Sequence, residues 1–116
     1  MTTFTDFDPT YSLCRIVDEQ IRMLVGSGYN PVVIVKQGFR PVEMFALPQV
    51  DLRFIPPFPA SNYINEAVDA SFKEDVEKLK VALIENLKDV DVVLTHDLIY
   101  QPESLKLNFA ARQAIK

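Results

Sequence analysis

The sequence predicts an α/β fold, an open parallel sheet with flanking helices. Three observations carry this expectation. Val32-Val33-Ile34-Val35 is a β-branched run of the kind that forms a strand buried on both faces. Between Asp89 and Asp97 a second short apolar run, Val90 to Leu94, is bounded by polar residues and stops at Thr95-His96-Asp97. Segments with helical apolar spacing stand before and after these runs, and strands alternating with helices imply parallel crossovers.

Taken in order, Met1 to Phe7 reads as the tail of a first strand whose beginning is absent, with Phe4 and Phe7 flanking Thr5 and Asp6. Asp8-Pro9-Thr10 is a helix entry, with proline near the first turn and a polar cap candidate beside it. Leu13, Ile16, Val17, Ile21, Leu24 and Val25 recur at helical spacing, and Gly26-Ser27-Gly28 supplies the stop. Asn30-Pro31 leads into the Val32–Val35 strand. Gln37 to Gln49, with Gly38, Pro41 and Pro48, reads as loop.

Val50, Leu52 and Phe54 then alternate with Asp51, Arg53 and Ile55, a strand pattern that Pro56, Pro57 and Pro59 end. Phe58 to Asp69 reads as loop, with or without a short helical turn. Ser71 to Leu87 is the clearest helix, with Phe72, Val76, Leu79, Leu83 and Leu87 on one face. Ser71 with Asp75, Glu74 early and Lys88 late agree with capping and dipole preferences. Asp91 to Thr95 is the next strand. Gln101-Pro102-Glu103 opens a last helix, whose apolar side is expected at Leu105, Phe109 and Ile115. The order is partial strand, helix, strand, strand, helix, strand, helix. A sheet that stops on a helix predicts further strands, supplied by a longer chain or by a partner.

Length and composition bound the function. A chain of 116 residues, 48% apolar and 24% charged, is one globular domain able to bury a core without disulfides or a structural metal. No apolar stretch is long enough to span a bilayer, and no basic-then-apolar leader opens the chain, so a soluble cytoplasmic protein is expected. Net charge is −4 and the pI about 4.9, a balance that argues against nucleic acid as partner. Cys14 is the only cysteine and lies in an expected helix, which favours a buried, inert thiol. One histidine and one cysteine far apart match no common zinc spacing, so no metal and no cofactor are expected.

In open parallel sheets ligands collect beyond the carboxyl ends of the strands, where Thr95, His96 and Asp97 would stand. His96 there is either a functional group or a strand-end residue bonded to neighbouring backbone. Asp97 reads as a turn or cap residue more readily than as a catalytic one. Asp8 before Pro9 reads as a helix cap more readily than as a ligand group, and Thr10 and Ser12 carry the same alternative. Tyr63 and Phe58 are expected to pack on the domain. Lys73, Glu74, Lys78 and Glu85 read as a solvated helix face.

The arrangement resembles the amino-terminal, Rossmann-like domain of GT-B glycosyltransferases, in the retaining group that includes glycogen and sucrose synthases. The residues that carry the resemblance are the helix over Tyr11 to Tyr29, the strand from Asn30 to Val35, the strand with a proline-rich exit over Val50 to Pro59, and Asp-Val-Val-Leu-Thr-His-Asp at Asp91 to Asp97. It covers nearly all of the chain and about two thirds of one of that family's two domains, so residues 1–116 are expected to be a single partial domain.

The resemblance implies transfer of a sugar from a nucleotide-sugar donor to an acceptor hydroxyl, with this part forming the acceptor side of the cleft. It implies a catalytic role for His96 beside the transferred sugar, with Thr95 and Asp97 next to it. Across the cleft it places the Asp6–Ser12 loop, with Asp8, Thr10 and Ser12 as substrate contacts. The donor would be held mainly by a second domain, so the chain alone is expected to be inactive. The alternative is a non-catalytic α/β module that binds a small ligand or a protein, associating through an exposed sheet edge.

Overall fold

The computed structural model describes residues 12–38, 47–58, 67–96 and 105–115. The expected first-strand tail, the Asp8–Thr10 helix entry, Tyr63, Asp97 and the Gln101–Glu103 entry lie outside the described residues. Five elements are seen: α1 (Ser12–Gly26), β1 (Val32–Lys36), β2 (Asp51–Ile55), α2 (Ala70–Leu87) and α3 (Leu105–Ala114). β1 and β2 pair in parallel, Val32 opposite Asp51 through Lys36 opposite Ile55.

Helices cover both faces of this pair. Side chains alternate across a strand, so Val33 and Val35 point one way and pack with Cys14, Val17 and Ile21 of α1. Ile34 points the other way and joins Ile55 in a cluster with Phe72, Val76, Leu79 and Leu83 of α2 and Leu107, Ala110 and Ala111 of α3. Two-sided burial is why β1 is a continuous apolar run instead of an alternating one. The α/β architecture with flanking helices is therefore present, and the parallel pair is compatible with a Rossmann-like fragment.

α1 stops where the glycines predict. The Tyr29 amide donates to Leu24 O at 3.0 Å and the Gly28 amide to Val25 O at 3.0 Å, with Gly28 at φ 83°. This pair of bonds is a Schellman cap. α2 buries Phe72, Val76, Leu79 and Leu83 as expected. Its amino end, however, is capped by Asp69 and not by Ser71: Asp69 Oδ1 accepts from the Phe72 amide at 2.9 Å. Ser71 is inside the helix and exposed.

Two further expectations are corrected. The apolar side of α3 holds Leu105, which packs against the core, but not Phe109 and Ile115 as its buried residues. Leu107, Asn108, Ala110 and Ala111 are buried, while Phe109 and Ile115 face solvent in part. The alanines present almost no side chain, which lets α3 lie close along α2. Phe109 instead sets its ring edge-on to Phe72, centroids 5.7 Å apart. The second correction concerns Asp91–Thr95, which forms no strand. Among the described residues its run has no ladder to β1 or β2, and Val92 and Leu94 are 73% and 50% exposed.

Polar ties hold β2 and α3 to α2. Arg53, on the α2 side of β2, donates Nη1 and Nη2 to Asp89 at 2.5 and 2.8 Å and Nε to Asp51 at 2.7 Å. Its Nη1 also donates to Asn86 O in the last turn of α2, where carbonyls lack helical partners. Lys106 donates to Asp75 at 2.7 Å, with its ammonium 5.8 Å from the Phe72 ring.

Candidate functional site

The site is assembled where the 91–96 segment meets α1. His96 is half-buried, and its Nε2 lies 2.6 Å from Gln20 Oε1, a contact bridging 76 positions of sequence. With the amide oxygen facing the ring, this contact is a hydrogen bond when Nε2 carries a proton, since an amide oxygen only accepts. Thr95 precedes it, also half-buried. An imidazole has two ring nitrogens, so a ring tied through one of them keeps the other for a second partner.

Gln20 is there because of its position on α1. It stands between Ile16 and Leu24 at four-residue spacing, on the same helix row. A polar residue interrupting an apolar row is the one sequence signal that could have drawn attention to it. Two residues before Gln20 and away from its row, Asp18 Oδ2 accepts from Arg22 Nε at 2.8 Å, an i,i+4 pair that raises the arginine's pKa chiefly through that bond.

Of the expected contacts on the opposite lip, only Ser12 is described. It is exposed at the first position of α1. Eight residues separate it from Gln20, a rise of about 12 Å along the helix axis. His96 therefore sits beside the middle of α1, and Ser12 stands some two turns beyond it. Asp8, Thr10 and Asp97 lie outside the described residues.

The other charged groups are structural ties. Asp89 is held below the usual carboxylate range, first by the Arg53 hydrogen bond, and Arg53 is raised by its bonds to Asp89 and Asp51. Asp75 is lowered likewise by Lys106. An open apolar depression on α2, floored by Pro56, Val81 and Ala82, has Glu74, Glu77 and Glu85 on its rim. Each of these glutamates is paired with a lysine, Lys78, Lys80 or Lys88. The depression therefore offers no unbalanced field to a charged ligand.

Among the described residues no group of three or more His, Cys, Asp or Glu could hold a metal ion, and no helix is long and apolar enough to cross a membrane. Cys14, fully buried under β1, matches its expected place. Comparison with protein-family models, with curated proteins and with solved structures finds no match to this chain.

Proposed function

We propose that this chain is a Rossmann-like ligand-binding unit whose ligand end is the junction of α1 with Thr95 and His96. In its narrower form, which rests on the sequence resemblance, that junction is the acceptor side of a GT-B glycosyltransferase, and a second domain supplies the nucleotide-sugar donor. The observation that supports the reading is the half-buried His96, held by Gln20 where the 91–96 segment meets α1, in a chain whose parallel pair has helices on both faces. His96 would then orient or deprotonate an acceptor hydroxyl, while the chemistry at the departing phosphate belongs to the donor domain.

The test is a titration of the 15N-labelled chain with glucose, maltose and a soluble maltooligosaccharide, followed by backbone amide and histidine ring signals. Saturable shifts confined to Thr95, His96 and the facing turn of α1, lost in His96→Ala, are the expected result. Unmoved signals across the series would remove the acceptor-side reading.

A second reading, an association module, is favoured by one specific observation. Val92 and Leu94 stand exposed next to the same junction, on a segment that carries two large apolar side chains into water. Sedimentation across a concentration series separates the two. Association that disappears in Val92→Asp/Leu94→Asp, with no sugar-induced shifts, supports this reading over the first.

A further inference from the structure

The Gln20–His96 contact carries more than a location. The chain has a single histidine, and its ring is tied to the body of the domain through Nε2. Gln20 is half-buried in the middle of α1, a helix anchored under β1 by Cys14, Val17 and Ile21. The acceptor is thus mounted on a rigid element, while the ring belongs to irregular chain. Of the two partners, the glutamine is the one whose position is set by packing.

We propose that Gln20 is the positioning residue of His96. Its side-chain oxygen takes the Nε2 proton, docks the 91–96 segment on α1 and holds the ring in one tautomer. A neutral imidazole carries one N–H, so fixing it on Nε2 makes Nδ1 the ring's basic atom. The assignment of Nδ1 to a ligand's hydroxyl rests on the functional reading above; the role of Gln20 does not. The charged residues within two positions of Gln20 on α1 are Asp18 and Arg22, which pair with each other, and exposed Glu19. On the 91–96 segment the charged residue is Asp91, also exposed.

The single histidine makes the experiment direct, because its ring nitrogens need no assignment. Long-range 1H–15N spectra of the labelled chain, recorded where the ring is neutral, should show Nε2 as the protonated nitrogen and Nδ1 as the bare one. In Gln20→Leu the ring should revert to a mixture of tautomers, and the Nε2 proton should exchange with water too fast to observe. In Gln20→Glu, which keeps an acceptor at the same reach and adds charge, the Nε2–H form should persist. Its titration midpoint should then move up by about 1 pH unit or more, because the carboxylate favours the imidazolium.

Protonation of Nδ1 in the wild type overturns the proposal. So does a Gln20→Leu ring spectrum identical to wild type. If Gln20→Leu does not fold, Gln20→Glu decides, and an unmoved midpoint overturns it. None of these readouts uses a ligand. Failure of the sugar titration with an intact ring spectrum therefore sinks the functional reading and leaves the role of Gln20 standing.

Discussion

Gly28 shows how a single residue ends an element. Its φ of 83° lies in the left-handed region, and a Cβ built there meets nothing within 4 Å. Any penalty for a side chain is therefore backbone strain alone, uncomplicated by a clash. Gly28→Ala should destabilise the protein by about 1 kcal/mol, read as a lower urea midpoint at unchanged slope. His96 and Gln20 mark the limits of what residue-level reading can find. His96 is legible because an apolar run that halts on a histidine is a local pattern. Its partner is not, because a contact across 76 positions leaves no trace in spacing. Only the polar interruption of the Ile16–Leu24 row hints that Gln20 faces something.

At the scale of elements, α2 is the organising helix, in contact with β2 on one side and α3 on the other. Leu83 is fully buried in its stripe, and Leu83→Ala should cost about 2–5 kcal/mol, depending on how far α3 collapses into the space. Equilibrium urea unfolding measures it. This stripe was legible because five large apolar residues repeat on one face. The stripe of α3 was not, because Ala110 and Ala111 carry too little apolar surface to register as a pattern, while the larger Phe109 and Ile115 mislead. The cap of α2 shifted from Ser71 to Asp69 for a similar reason, since these two residues, only two positions apart, both offer capping side chains and local pattern does not rank them. The 91–95 run reads as a strand from composition, but a strand also needs a neighbour to bond, and composition cannot supply that. The candidate site inherits this limit, since His96 was found by its place at the end of that run.

For the molecule as a whole, Arg53–Asp89 and Lys106–Asp75 join β2 and α3 to the two ends of α2. Both aspartates have pKa values lowered on folding, each chiefly by its cation's hydrogen bond. A lowered folded value means the contribution is present above the unfolded carboxylate value of about 4 and is lost as pH falls through the folded value. Urea midpoints measured down through this range should fall for the wild type. Asp75→Asn/Asp89→Asn should start lower and fall less steeply. Both carboxylates are substantially exposed, so the difference should shrink in high salt. Arg53 has a second consequence, for alignment. Among the described strands β2 has one neighbour, and a strand bonded on one side is free to slide along it. A slip that keeps the same faces inward moves the strand by two residues, about 6.6 Å. That displacement would carry the guanidinium away from both Asp89 and the Asn86 carbonyl. Arg53 therefore acts as a ratchet pawl, so that only the alignment setting Val32 against Asp51 lets the fork engage.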